Sequence, residues 1–223
     1  VLSHRQIKGS ATSGKTVTSE RLTCLGQSVP NLATIDLNQD HLIFSFSIPT
    51  PHPLVSLIIP TRNGLSILKP CVESILEKTA YRNFEILVLD NQSNDKDVIE
   101  WFKLIQADER VKVLAYDHPF NYSAINNYGV QQAHGSIIGL INNDVEVISE
   151  NWLTEMVSHA CREDIGCVGA KLYYSNGQIQ HAGVILGLGH VAGHAHRFAE
   201  RDSAGYYQRL QLVQNYSAVT GAC

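Results

Sequence analysis

The stretch Gly135-Ser-Ile-Ile-Gly-Leu-Ile-Asn-Asn-Asp-Val-Glu-Val147 decides how this chain is read. Its apolar run, Ile137 to Ile141, reads as one buried strand. The run stops abruptly at Asn142, Asn143, Asp144 and Glu146. Open α/β sheets place ligands at the carboxyl ends of buried strands. One carboxylate flanked by amides cannot enclose a metal alone. It suits a divalent cation whose other ligands are waters and substrate phosphates. The segment also fits a strand that simply runs into a solvated turn.

Outward from this stretch, strand and helix patterns alternate. Val55-Ser-Leu-Ile-Ile59 reads as a strand closed by Pro60. Ile67, Leu68, Cys71, Val72, Ile75 and Leu76 recur at helical spacing. Pro70 is expected in or near that helix's first turn, where a missing N–H is tolerated. Phe84-Glu-Ile-Leu-Val-Leu89 is a second strand, ending in Asp90. Val98, Trp101, Phe102 and Ile105 mark a helix, and Val111-Lys-Val-Leu-Ala115 a third strand. A helix is expected over 124–133. Another carries Trp152, Leu153, Met156, Val157 and Ala160 behind an N-cap at Ser149. Beyond Ile165 the chain is Gly-rich, with short strands expected at 167–173 and 184–188. Strands and helices of these lengths imply right-handed βαβ units, an α/β fold and a mostly parallel sheet.

Three polar clusters follow three of these strands: Pro60-Thr-Arg-Asn63, Asp90-Asn-Gln-Ser-Asn94 and Asn142-Asn-Asp144. In a parallel sheet the carboxyl ends share one edge, so the clusters should converge on one cleft. Asp90 can accept from a base N–H or a ribose hydroxyl, or it can cap a turn. Asp144 can bind a cation that bridges two phosphates.

At 223 residues the chain can form one domain plus a tail. Its hydrophobic content of 44% and charged content of 17% are those of a globular protein. A net charge of −4 argues against a general nucleic-acid surface. No apolar run approaches a membrane span, and 1–20 is too polar for a secretory signal. Five cysteines without CxxC spacing read as small buried hydrophobes in a reducing compartment, hence the cytoplasm, with Cys71 on a helix and Cys167 in a strand. Residues 1–52 read as a linker or the end of a preceding domain. There His41-Leu-Ile-Phe-Ser-Phe-Ser-Ile48 could form one strand before the Pro49-Thr-Pro-His-Pro53 breaker. Residues 53–223 read as one domain, cut inside an expected strand at 218–223.

Four segments carry a resemblance: Leu57-Ile-Ile-Pro-Thr-Arg-Asn63, Val88-Leu-Asp-Asn-Gln-Ser-Asn-Asp95, Ser123-Ala-Ile-Asn-Asn-Tyr-Gly129 and Gly139-Leu-Ile-Asn-Asn-Asp-Val-Glu-Val147. They resemble the four N-terminal signatures of family 2 glycosyltransferases, in order and spacing, over roughly Pro53 to Cys223. Any one motif is weak; four in order are specific. The resemblance implies a GT-A fold, a Rossmann-like sheet that binds a nucleotide-sugar and a divalent cation, Mg²⁺ or Mn²⁺. By the same resemblance, Pro60, Thr61 and Asn63 would line the nucleotide pocket and Asp90 would contact base or ribose. Ala124, Asn126 and Asn127 would begin a helix beside the nucleotide. Asn142-Asn143-Asp144 would occupy the Asp-x-Asp position, with Asn143 on the donor side and Asp144 on the metal. Asn142 replaces the first acid, which leaves fewer anionic ligands.

The segments 171–184, 193–196 and 211–223 look like a bacterial subgroup that builds rhamnan, O-antigen and other surface polysaccharides. That implies inverting transfer to a saccharide or lipid-linked saccharide, by a cytoplasmic protein peripheral to the inner membrane, with further catalytic domains in the full chain. The family's general base is an acid downstream of such a Thr-Gly-Ala-Cys segment. It would lie beyond Cys223, so this stretch alone is expected to transfer little or no sugar. A degenerate module that binds saccharide or a partner without chemistry is the alternative.

Gly9-Ser-Ala-Thr-Ser-Gly-Lys-Thr16 fits the phosphate-loop pattern but lacks an apolar strand before it and a helical stripe after it. It resembles instead the linker between tandem transferase domains. His181, His190, His194 and His196 cluster without a Cys partner, so zinc is a weak reading. They could contact acceptor or diphosphate from a loop, or be packing residues. Arg62 could reach a diphosphate or be a solvated strand-end charge. Tyr206, Tyr207 and Tyr216 could stack on sugars or serve the core.

Overall fold

The computed structural model describes residues 32–38, 41–188 and 191–223. The phosphate-loop-like segment 9–16, Cys24 and His190 lie outside them. Contacts divide the chain into two units, Val1–Ser47 and Ile48–Cys223. In the first, β1 (Leu32–Asn38) pairs antiparallel with β2 (His41–Phe46). Only β2 was expected. The alternation of Ala33, Ile35 and Leu37 that marks β1 is too short to separate a strand from a polar linker.

The second unit carries β3 (Val55–Thr61), α1 (Leu65–Lys78), β4 (Phe84–Asp90), α2 (Lys96–Ile105), β5 (Val111–Ala115), α3 (Tyr122–Gln132), β6 (Ile137–Leu140) and α4 (Trp152–Ala160). The four strands form one parallel sheet in the order β5-β4-β3-β6. The expected α/β architecture is therefore present. After β5 the chain returns to the other side of β3, so the strand order reverses between β3 and β6. That reversal opens a crevice at the carboxyl ends of the two strands.

Helices cover both faces, which is why β3 and β4 are apolar without alternation. On one face Leu57, Ile59, Ile86 and Val88 pack with Leu68, Val72 and Ile75 of α1, Val98 and Phe102 of α2, and Leu153 and Val157 of α4. On the other, Ile58, Leu87 and Leu89 pack with Ile125 of α3 and with Tyr116. Gly129 lets α3 approach closely, since a Cβ there would lie 2.7 Å from Ile58 and Leu89 side chains. At the amino ends of the strands, Ser56 Oγ donates to Glu85 Oε1 at 2.7 Å, and the His134 N–H donates to the same oxygen at 2.7 Å. Burial raises the Glu85 pKa, but these donors and Lys112 outweigh it and hold the carboxyl below its ordinary value.

Several expectations are corrected. The run 137–141 is not uniformly buried. Among the described residues β6 has a strand neighbour on one side only, so Ile138 is 37% exposed and Ile141 alone is deeply buried. Pro60 does not close β3, which continues to Thr61. Pairing to β6 ends at Ile58, whose carbonyl accepts the Ile141 N–H. Pro60 points to the same side two residues later, past the last pair, where no N–H is needed. Pro70 is the sixth residue of α1, in its second turn, and leaves the Ser66 carbonyl without its helical donor. The N-cap of α4 is Asn151, and Ser149 contributes only its carbonyl, to the Trp152 N–H.

The tail is less regular than expected. β7 covers only Leu172–Tyr173 and pairs with β8 (Ile179–His181). Cys167 is exposed and outside it. β9 (Val184–Leu186) pairs with β10 (Ala192–His194). The expected strand at 218–223 is a single bridge from Ala218 to Val184 followed by a turn. Among the described residues no helix is long and apolar enough to cross a membrane.

Candidate functional site

The three loops after β3, β4 and β6 meet at one rim. Thr61 and Asp90 are register partners at the ends of β3 and β4. Asn63 adopts a left-handed conformation, φ 53°, which Asn tolerates better than most residues. That conformation turns its amide onto the β4 loop. Its Oδ1 accepts from the Asn94 and Asp95 N–H groups at 2.9 and 3.1 Å, and its Nδ2 donates to Asn94 Oδ1 at 3.0 Å. Its own N–H donates to Ser93 Oγ at 2.7 Å. Asn63 thus spends its polar atoms on joining two loops.

Asp90 Oδ1 accepts the Ser93 N–H at 2.9 Å, the turn-capping role its sequence also allowed. The other carboxyl oxygen has no such bond among the described residues. Asn91, which sequence reasoning did not single out, is 2% exposed and donates to the Tyr116 and His118 carbonyls at 3.1 and 2.8 Å. It anchors the loop after β5 to the same rim. Its signal was a second amide inside a polar cluster, indistinguishable from a solvated one.

The β6 loop joins through Asn143, whose Nδ2 donates to Thr61 Oγ1 at 3.0 Å. The Asn142 N–H donates to the Ala222 carbonyl at 3.0 Å, and its carbonyl receives the Cys71 thiol at 3.6 Å. Burial pushes the Cys71 thiol up to about 12, so it stays protonated and is a donor here. Asp144 stands exposed beside this fixed backbone.

Pro60, Thr61, Arg62, Phe120, Tyr122, Asn142 and Asn143 line a cleft of about 330 Å³. It lies at the carboxyl ends of β3 and β6, where the strand order reverses. Of the residues expected at the site, Pro60, Thr61 and Asn143 line this cleft. Asn63 and Asp90 stand one loop away. Ala124 and Asn127 are exposed on α3 and do not line it. Asn126 is 5% exposed and donates Nδ2 to the Tyr122 carbonyl at 2.8 Å, while its buried Oδ1 lacks a partner among the described residues. Phe120 and Tyr122 were missed. They flank Asn121, whose Oδ1 caps α3 through the Ala124 N–H at 2.9 Å. Tyr122 Oη donates to the Gly221 carbonyl at 2.7 Å.

Among the described residues no three His, Cys, Asp or Glu side chains gather as a metal cage. Asp144 offers one exposed carboxylate, next in sequence to the Asn142 and Asn143 amides. This all-oxygen, single-carboxylate donor set fits Mg²⁺ or Mn²⁺ held mainly by ligand phosphates and water.

A second cleft, of about 240 Å³, also borders Asn142 and includes Tyr174, Gln180, His181, His194 and Arg197. His181 is not on a loop: it sits in β8, 1% exposed. Tyr216 lies against Gly183, where a Cβ would clash with its ring, so it serves packing. Tyr206 and Tyr207 are more than 70% exposed and touch edge to face.

Comparison with known proteins places these features in context. The family model described as "Glycosyl transferase family 2" matches residues 56–217. The uncharacterized protein y4gI of Sinorhizobium fredii is 58% identical over 172 residues, 77% of this chain and 19% of its own length. The O-antigen biosynthesis protein RfbC of Myxococcus xanthus is 40% identical over 174 residues, 77% of this chain and 13% of its own. The chain thus spans less than a fifth of either relative. A mannosyltransferase from Pyrobaculum calidifontis, solved with GDP-Man and Mn²⁺, superposes with a TM-score of 0.49 at 19% identity, over 55% of this chain and 37% of its own.

Proposed function

The chain belongs to glycosyl transferase family 2, and from that premise we propose that residues 53–223 form the donor-binding part of an inverting transferase that extends a bacterial surface saccharide. The observation that carries this reading is the meeting of the β3, β4 and β6 loop tips at the strand-order reversal, with Asn143 tied to Thr61. The 40% identity to a protein named for O-antigen biosynthesis supports the choice of acceptor class, a saccharide or lipid-linked saccharide.

In this reading the nucleotide-sugar lies along the cleft of Pro60, Thr61 and Asn143. Asp90 presents its unbonded oxygen to base or ribose. Asn63 keeps that carboxylate in place by locking the two loops together. By the resemblance Ala124, Asn126 and Asn127, in the first two turns of α3, would stand near the nucleoside, outside the lining of the cleft itself. Arg62 faces the diphosphate. Asp144 would hold Mg²⁺ or Mn²⁺, which when bound would neutralise charge on the departing diphosphate, a contribution of several kcal/mol. An acceptor hydroxyl attacks the anomeric carbon from the face opposite the diphosphate. The new C–O bond forms as the old one breaks, the electron pair leaves with the diphosphate, and the proton passes to a base outside these 223 residues. General-base help is worth roughly 10²- to 10⁴-fold, so this stretch alone should turn over little sugar. The work would be done in the cytoplasm, peripheral to the inner membrane, by a longer chain with further catalytic domains.

Calorimetry with UDP, GDP and dTDP, with and without Mn²⁺, tests the reading. Binding of one nucleotide, strengthened by Mn²⁺ and losing that strengthening in Asp144→Ala, is the expected result. Equal affinity with and without Mn²⁺ would remove the metal role, and no binding at all would remove the donor site. A second reading, a module that binds without catalysis, is favoured by Asn142 standing where the resemblance has an acid. Robust binding with no turnover by the full-length protein would select it.

A further inference from the structure

We propose that the second cleft is a saccharide site, in which His194, oriented as an Nε2–H donor by His181, selects a pyranose hydroxyl. The inference rests on the transferase reading, since it names where a sugar ring would sit relative to the nucleotide cleft. The two clefts share Asn142 as a common wall.

The hydrogen bonds determine the protonation of both rings. His181 Nε2 faces the N–H groups of Gly183 and Thr220 at 3.3 and 3.4 Å. Both are donors, so that nitrogen carries a lone pair and the ring proton sits on Nδ1. His181 Nδ1 lies 2.9 Å from His194 Nδ1. The proton therefore points at His194, whose Nδ1 accepts, and the His194 proton must sit on Nε2. No partner for that Nε2–H exists among the described residues. Burial, then the neighbouring His194, pushes His181 down to about 4, so His181 keeps the Nε2 lone pair near pH 7. The lone pairs of this pair are all engaged, which leaves nothing to offer zinc.

The surroundings suit a sugar. Tyr174 and Phe198 stack with ring centroids 5.5 Å apart. Arg197 lies over Phe198 at 4.7 Å and donates Nε to Tyr174 Oη at 2.8 Å, so its charge is partly committed. Gln180 adds an exposed amide at the same cleft. A pyranose offers an apolar C–H face and hydroxyls that both donate and accept. A fixed N–H, a phenol oxygen and an amide discriminate among such hydroxyls, because a mismatched one leaves a donor unpaired. The ring could belong to a free acceptor or to the donor's own sugar.

Two experiments on this chain decide it. Ring ¹⁵N spectra should show His181 protonated on Nδ1 and His194 on Nε2; a His194 proton found on Nδ1 overturns the proposal. Saturation-transfer spectra should then be recorded with a panel of bacterial surface mono- and oligosaccharides, the matching nucleotide-sugars, and the nucleotides alone. Saccharide binding is expected, falling at least tenfold in His194→Phe and partly restored in His194→Gln, with affinity for nucleotide alone unchanged. Free saccharides that bind assign the ring to an acceptor; contacts seen only with nucleotide-sugars assign it to the donor. If the wild-type chain ignores every saccharide in both forms, or if His194→Phe binds normally, the cleft is not a saccharide site, even where nucleotide binding upholds the donor site.

Discussion

Asn143 Nδ2 donates to Thr61 Oγ1 at 3.0 Å, and this one bond closes the tips of β6 and β3 across the crevice between them. The partners are 82 residues apart in sequence. Thr61 is 5% exposed and Asn143 half-buried, so the residue's polarity is not a surface accident.

Thr61→Val keeps the shape and removes the acceptor. A typical net hydrogen bond is worth about 1 kcal/mol, and Asn143 Nδ2 is only half-buried. The variant should lose about 1 kcal/mol of stability in urea unfolding and bind its nucleotide roughly tenfold more weakly in calorimetry. Asn143→Ala removes only this bond, whereas Thr61→Val also removes the weaker bond from Thr61 Oγ1 to the Asn63 carbonyl, so the double variant should be no worse than Thr61→Val alone.

Asn142→Asp tests the missing acid. The backbone N–H and carbonyl of Asn142, tied to Ala222 and Cys71, do not depend on its side chain. A second carboxylate next to Asp144 should raise Mn²⁺ affinity roughly tenfold, because anionic ligand count sets the strength of such sites. Titration of Mn²⁺ by its effect on water relaxation measures this directly. No gain would mean that position 142 faces away from the cation.

Gly129→Ala inverts the usual helix rule. Ala is normally favoured over Gly inside a helix by about 1 kcal/mol. Here the added methyl would meet Ile58 and Leu89 at 2.7 Å. Overpacking of this kind costs about 1–3 kcal/mol, so the net effect should be a lowered Tm.

The buried His181 makes stability depend on acid. Its folded pKa is depressed from 6.5 to about 4, so the unfolded chain binds the proton first. The contribution is whole above about pH 6.5, declines as pH falls toward 4, and is flat below. By linkage the loss approaches about 3 kcal/mol. Urea midpoints at pH 7 and pH 4.5 should differ accordingly, and the difference should shrink in His181→Gln.

What sequence alone determined here is the strand–helix order from Val55 to Ala160, because buried strands and amphipathic helices impose their own periodicities on the side chains. The three polar clusters were legible for the same reason: each interrupts an apolar run at the point where the strand leaves the core. Only tertiary structure decided which strands are neighbours, and so where the order reverses and the crevice opens. It also decided what the polar residues do. Asn63, Asn91 and Asn143 look alike in sequence, yet each fastens a different pair of loops. The His181–His194 pair, Phe120, the bond from the Thr220 N–H and the bonds to the Gly221 and Ala222 carbonyls were illegible because they join segments whose proximity no local pattern encodes. Periodicity is a property of neighbouring residues; a hydrogen bond across the fold depends on the folded chain bringing both partners to one place.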